Sequence, residues 1–304
     1  MKAIVTGGSG FVGSALIKEL LENDIEVLSI DMTSGSDRIP KDPRVKQIAM
    51  SIENIEQLVG QITEGEYDLF YHFAWRGSAG PLRMDENVQT ANALWTVKCL
   101  RVAAKLGCKK FICAGSIMEY EVQAAMYAQG SKPGMGYIYG VGKVLAHELC
   151  KPIANNLGID LVWTYITNAY GVGECSPRFI NSTLRKMNNN ERLEFTAGTQ
   201  NYDFIYVTDV AKAFYLLGIK GKANKGYLIG SGDAKPLKDL IIEMTSKNSP
   251  DNVPHFGDVP FTGVNVDIHT FDISPIVDDT GFKPVVSFAN GTKRTMDWLK
   301  EVDK

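Results

Sequence analysis

Cysteine is scarce in this chain, and spacing pairs none of it. Cys99, Cys108, Cys113, Cys150 and Cys175 make an odd count with no C-x-x-C pair. That excludes a disulfide framework or a cysteine zinc site, and fits reduced thiols in a cytoplasm. Histidine is scarcer still, four residues scattered along the chain, so no metal is expected. An excess of positive charge is also missing. The net charge of −3 gives no electrostatic case for a nucleic acid or an anionic membrane as partner. No apolar run approaches about 18 residues, so no membrane span is expected. The chain enters its first strand at once, which leaves no room for a signal peptide. No Ser/Gly linker, charge run or repeat divides it. What remains is 304 residues, 44% apolar and 22% charged, the composition of a globular protein with a substantial core.

The first thirteen residues organise the rest. Ala3, Ile4 and Val5 form a compact β-favouring run. Gly7, Gly10 and Gly13 follow at G-x-x-G-x-x-G spacing, and Leu16, Ile17, Leu20 and Leu21 then recur at helical intervals. A strand, a glycine turn and a helix start make an anion site. Gly7 permits the sharp turn, Gly10 lets backbone approach a pyrophosphate, and Gly13 permits close helix–strand packing, with Phe11 and Val12 between them. The helix N-terminus presents unpaired N–H groups and a positive dipole end. The next strand, Glu26 to Asp31, ends in the acid that holds ribose hydroxyls in dinucleotide sites. Arg38 offers a partner for a ribose 2′-phosphate, but Asp31 repels one, so NAD is favoured over NADP.

Further strands are expected at 45–50, 68–75, 109–114 and 159–165, and helices at 52–58, 84–105 and 137–156. Ser51 and Ile52 fall where adenine would be contacted. His72 lies inside an apolar run and reads as a core histidine. Residues 121–136 read as a loop. Past Gly171 the pattern loosens, with short strands at 203–207 and 226–230 and helices at 208–217, 238–247 and 290–302. Thr208 or Asp209 is placed to cap the first of these helices. Strands alternating with helices predict a parallel sheet covered on both faces.

Tyr139 and Lys143 stand at i and i+4, on one face of one helix. A phenol, pKa about 10, works poorly in acid–base catalysis at neutral pH unless a neighbouring cation favours its phenolate. Ser116, at the end of a neighbouring strand, can hold the same substrate oxygen. The three together suit proton transfer at a hydroxyl coupled to hydride transfer. Two glycines, Gly140 and Gly142, interrupt this helix at about 1 kcal/mol each, which marks a functional or closely packed place.

These residues resemble the extended short-chain dehydrogenase/reductase family, the branch of nucleotide-sugar epimerases, dehydratases and 4-ketoreductases. Thr6-Gly-Gly-Ser-Gly-Phe-Val-Gly13 is similar to its cofactor motif, Tyr139-Gly-Val-Gly-Lys143 to its catalytic pair, and Ser116 to its catalytic Ser/Thr. Asn92 is similar to the asparagine of its central helix. Asn168-Ala-Tyr-Gly171 resembles its Asn-Val-Tyr-Gly, whose asparagine touches substrate. Tyr202 to Asp209, Gly226 to Gly232 and Gly281 to Pro284 resemble later landmarks. The resemblance implies NAD in contact with Ala74, Trp75 and Asn92 besides the glycine loop, a nucleotide-sugar substrate near Ser116, Tyr139, Asn168 and Arg178, and a homodimer through the helices at about 84–106 and 137–156. Two departures matter. Dehydratases of this family carry Thr-Asp-Glu where this chain has Ser116-Ile117-Met118, so water elimination is not expected. Tyr202 and Tyr165 replace arginines, which leaves Arg76, Arg83 or Arg178 to meet a diphosphate.

The expectation is an α/β protein: a Rossmann-type doubly wound parallel sheet with a smaller, mixed α/β C-terminal substrate domain. Residues 1–171 form the dinucleotide-binding domain, with 202–229 returning to it, and 172–201 with 230–304 bind substrate. The function expected is NAD(P)-dependent reduction or epimerisation of a nucleotide-linked keto-deoxysugar at C4. The alternative is a non-catalytic NAD(P)-binding regulatory protein of the same fold, against which the joint presence of Ser116, Tyr139 and Lys143 counts.

Overall fold

A computed structural model describes residues 1–130 and 132–303 of the chain. Lys2–Thr6 (β1) buries Ala3, Ile4 and Val5 completely, as a strand covered on both faces must. Helix Phe11–Glu22 (α1) follows, with Leu16, Ile17, Leu20 and Leu21 inward. Strands Glu26–Asp31 (β2), Val45–Ala49 (β3) and Leu69–His72 (β4) come next, with a 3-10 helix at Ile52–Leu58 between the last two. Helix Glu86–Lys105 (α2), strand Lys110–Ser116 (β5), helices Met118–Tyr127 (α3) and Tyr137–Leu157 (α4), and strand Asp160–Ile166 (β6) complete the first half. The second half holds Asn168–Tyr170 (β7), Phe179–Asn188 (α5), Leu193–Phe195 (β8), Asn201–Tyr202 (β9), Phe204–Tyr206 (β10), Val207–Lys220 (α6), Lys225–Ile229 (β11), Lys235–Pro236 (β12), Leu237–Asn248 (α7), Pro254–Phe256 (β13), Ser274–Thr280 (α8) and Phe288–Val302 (α9).

Seven parallel strands form the central sheet in the order β11-β6-β5-β4-β1-β2-β3. From β1 the chain winds outward to β2 and β3, then returns to β4 on the other side of β1 and winds away. The switch point therefore lies between β1 and β4, and ligands bind in the crevice outside the strand ends there. One core layer packs α1 and α6 on the sheet, the other α2, α4 and the 3-10 helix. A third cluster gathers Ile180, Leu184, Phe195, Phe204, Leu240, Met244 and Met296 from α5, α7, α9 and the short strands.

Several sequence expectations need correction. Residues 121–136 were expected as a loop, but 118–127 are helical; the polar Glu and Gln positions mask an inward face of Glu119, Val122 and Ala125. Ser131, in the same stretch, lies outside the described residues. The helix expected from Met84 starts at Glu86, where Asp85 accepts from the N–H groups of Asn87 and Val88. Neither Thr208 nor Asp209 caps α6, which begins at Val207; Asp209 instead accepts from the Val286 N–H. The strand expected at 203–207 pairs with β7, outside the central sheet. Residues 274–280, expected with the second unit, pack on α6 and β11 because Ile276 and Phe282 belong to the sheet's core layer.

Candidate active site

The glycine loop has the backbone the spacing calls for. Gly7 sits at φ +74°, and a Cβ there would lie 2.8 Å from the Ala74 nitrogen, so β1 and the loop after β4 touch backbone to backbone. A Cβ on Gly13 would lie 2.1 Å from the Gly7 carbonyl, which seats α1 against the turn. Gly10 caps α1 without a side chain, so the first N–H groups of the helix have no capping acceptor. Asp31 accepts from Ser9 N at 3.1 Å, Ser9 Oγ at 2.7 Å and Ser29 Oγ at 2.8 Å. The acid thus ties the end of β2 to the glycine loop. The sequence did not single out Ser9 because the glycine spacing leaves its position unspecified. Arg38, weighed for a 2′-phosphate, donates to the Cys175 sulfur.

One cleft of about 530 Å³ runs from this loop along the sheet's edge. Gly7, Gly10, Phe11, Val12, Gly13, Asp31, Ser51 and Ile52 line one end, Ala74 and Trp75 the middle, and Ser116, Tyr139, Lys143 and Arg178 the other. The uncapped helix start, the open glycine edge and Asp31 at the end of β2 fit a dinucleotide. Among the described residues no group of three or more His, Cys, Asp or Glu side chains could hold a metal ion.

Asn92 and Asn168 are not part of the cleft lining. Asn92 clamps the loop after β4, accepting from Arg76 N at 2.9 Å and donating to Arg76 O at 2.7 Å. Asn168 donates to the Asp203 carbonyl at 3.0 Å. Both asparagines thus hold backbone: Asn92 that of Arg76, which lines the cleft, and Asn168, between the lining residues Thr167 and Ala169, that of Asp203. Gln89, which the sequence did not single out, accepts from Trp75 Nε1 at 2.8 Å and donates to Leu82 O at 2.8 Å. His72 is buried between Thr6 Oγ1 and Thr96 Oγ1; burial pushes its pKa down to about 3, so it is a neutral core residue.

The reactive end is assembled from β5 and α4. Ser116 closes β5, and its Oγ accepts from Met118 N at 3.2 Å, leaving its own proton to donate. Tyr139 and Lys143 sit one turn apart, at 9% and 4% exposure. Lys143 Nζ donates to Ala114 O at 2.7 Å and lies 3.6 Å above the Trp75 ring. The Arg83 guanidinium lies 3.9 Å over the Tyr139 ring and is anchored to Ser78 O at 2.9 Å. Burial lowers the Arg83 pKa, with Tyr139 opposing. The two interrupting glycines are explained by packing. A Cβ on Gly140 would lie 2.8 Å from Met118 O, and one on Gly142 3.0 Å from Gln89. Arg178 reaches the cleft from the start of α5 and pairs with the buried Glu174 at 3.3 Å. Arg83, weighed in the sequence for a diphosphate, instead stacks on Tyr139, a contact that no sequence signal marked because it crosses more than fifty residues of chain.

The chain is similar along nearly its whole length to proteins of known structure and activity. A dTDP-4-dehydro-6-deoxyglucose reductase of Escherichia coli is 25% identical over 315 residues, covering 98% of this chain and 97% of the relative. A dTDP-glucose 4,6-dehydratase of Streptomyces niveus is 23% identical over 321 residues, covering 99% and 93%. The crystal structure of a UDP-glucuronic acid 4-epimerase from Bacillus cereus in complex with NAD superposes with a TM-score of 0.80 at 22% identity, covering all of both chains. The profile of the NAD dependent epimerase/dehydratase family matches residues 3–230, three quarters of the chain. With its Rossmann-type sheet and glycine loop, the protein belongs to that family, within the extended short-chain dehydrogenases/reductases.

Proposed function

We propose that the protein is an NAD-dependent epimerase or 4-ketoreductase of a nucleotide-linked sugar, acting at C4. The observation that carries the reading is the convergence of Ser116, Tyr139 and Lys143 in the cleft that also holds the glycine loop and Asp31. A bound nicotinamide would supply hydride exchange with the sugar carbon. The glycine loop and the start of α1 would hold its pyrophosphate, and Asp31 the adenosine ribose. Tyr139 gives or takes the proton of the reacting hydroxyl. Ser116 donates to the same oxygen. Lys143 holds a ribose hydroxyl and, as a cation one helical turn away, stabilises negative charge on the phenol oxygen.

The substrate lobe is assigned to residues 172–201 and most of 230–304. Arg178, on the cleft wall, is the counter-charge for a diphosphate in place of the arginine absent at Tyr202. A dehydratase role is disfavoured by the residues after Ser116. Ile117 packs in an apolar cluster with Leu228, Val266 and Phe271, and neither it nor Met118 can transfer a proton. Glu119, the next acid along the chain, is buried and absent from the cleft lining. The outward residues Leu94 on α2 and Val141 on α4, both about half exposed, suit a second copy of the chain.

Tyr139→Phe tests the mechanism. Turnover on a nucleotide 4-ketosugar with NADH should fall by about 10³-fold, while NAD affinity changes little. Surviving activity would remove Tyr139 from the chemistry. Stoichiometric NAD carried through purification would favour the epimerase, and consumption of added NADH the reductase.

A further inference from the structure

Below the reactive end lies a carboxylate that the proposed chemistry does not use. Glu119 is 1% exposed and absent from the cleft lining. Its Oε1 accepts from Ser116 N at 2.9 Å and from Trp163 Nε1 at 3.1 Å. Its Oε2 lies 3.2 Å from the same indole nitrogen and 3.4 Å from His147 Nδ1. The His147 ring stacks flat on Trp163 at 4.3 Å, with Tyr165 against its edge. Burying a carboxylate costs several kcal/mol unless donors surround it, so its position here needs a reason other than filling space.

Its partners supply the reason, since they come from three elements. Ser116 N belongs to the end of β5, Trp163 to β6, and His147 to α4. On α4, His147 stands one turn beyond Lys143 and two beyond Tyr139, on the same face. Gly115 shows how closely the group is drawn together. A Cβ there would lie 2.4 Å from Trp163 Nε1 and 2.5 Å from Glu119 Oε1. A single buried side chain therefore joins the backbone of one reactive residue to the helix that carries the other two.

We propose that Glu119 is a positioning residue, which fixes Ser116 relative to the Tyr139–Lys143 face by accepting from Ser116 N–H on one side and contacting His147 of α4, Oε2 to Nδ1 at 3.4 Å, on the other. For its kinetic effect this rests on the acid–base reading above; its structural effect does not. A displacement of about 1 Å in such a site lowers turnover by up to about 10²-fold.

The test compares Glu119→Ala, Glu119→Gln and His147→Phe with the unaltered chain. His147→Phe keeps a ring on Trp163 but removes the nitrogen that meets Glu119. Crystal structures should show Ser116 displaced from the Tyr139 hydroxyl in Glu119→Ala and held in Glu119→Gln, whose amide oxygen still accepts from Ser116 N. NAD affinity should stay within about twofold in all three, because the glycine loop is distant. With a nucleotide 4-ketosugar, kcat should fall at least about tenfold in Glu119→Ala with KM nearly unchanged, recover in part in Glu119→Gln, and fall in between in His147→Phe. Ser116 unmoved in Glu119→Ala would overturn the proposal, as would a kcat loss matched by loss of NAD affinity. If Glu119→Ala does not fold, His147→Phe decides, and an unchanged kcat there overturns the proposal. If the unaltered chain turns over no nucleotide sugar, the functional reading fails, and the position of Ser116 in the variant structures still decides the role of Glu119.

Discussion

The ammonium of Lys143 rests 3.6 Å above the indole of Trp75 and donates to the carbonyl of Ala114 at 2.7 Å. An aromatic face from the loop after β4 and a carbonyl from β5 thus fix the charge at the bottom of the cleft, leaving donors on Nζ for a ligand. Trp75 is held in turn by Gln89 of α2. A cation–π contact in a partly desolvated place contributes about 1–2 kcal/mol. Trp75→Leu should therefore lower kcat/KM by about tenfold through misplaced Lys143, measured in steady-state assays beside a thermal melt that confirms folding.

Asp31 has two tasks, and its replacement should show both. Asp31→Ala removes the acceptor proposed for ribose hydroxyls and the hydrogen bonds from Ser9 and Ser29. NAD affinity should fall by about ten- to a hundredfold, as expected for bonds to a charged group, and NADP affinity by less, because the repulsion of its phosphate is also removed. Titration calorimetry with both dinucleotides checks the ratio. An unchanged preference would remove Asp31 from cofactor selection.

Gly142→Ala should destabilise the chain although alanine is the better helix former. The new methyl meets Gln89 at 3.0 Å, where α2 and α4 pack. Overpacking of this kind costs about 1–3 kcal/mol, against a propensity gain of about 1 kcal/mol. A melt should show a lower Tm, and displacement of Gln89 should weaken NAD binding through Trp75.

Glu121 makes stability depend on pH near the site. Burial pushes its carboxyl up to about 7 from an ordinary 4.5, with Arg83 opposing. The folded chain thus holds this proton more tightly than the unfolded chain does. Between about pH 4.5 and pH 7 the unfolded state ionises first, so this group's contribution to stability falls as pH rises through that window. The loss is on the order of 2 kcal/mol after allowance for solvent screening. Glu121→Gln should flatten the fall, read as the pH dependence of the urea midpoint.

The opening of the chain was legible from residues alone because its determinants are local. Ala3 to Val5, the three glycines and the helical spacing of Leu16 to Leu21 specify a strand, a turn and a helix within about twenty residues. Asp31 closes the next strand. The spacing of Tyr139 and Lys143 likewise fixed a shared helix face before any fold was known. The tertiary structure alone decided what faces them. Arg83 over the Tyr139 ring, Trp75 under Lys143, and Glu119 between Ser116 and His147 join residues from separate elements. Only the fold shows that Asn92 and Asn168 bond the backbone of Arg76 and Asp203. Periodicity and spacing report only on neighbours within a turn or a strand. The order of seven parallel strands sets which strand ends meet, and with them the surroundings of each reactive group.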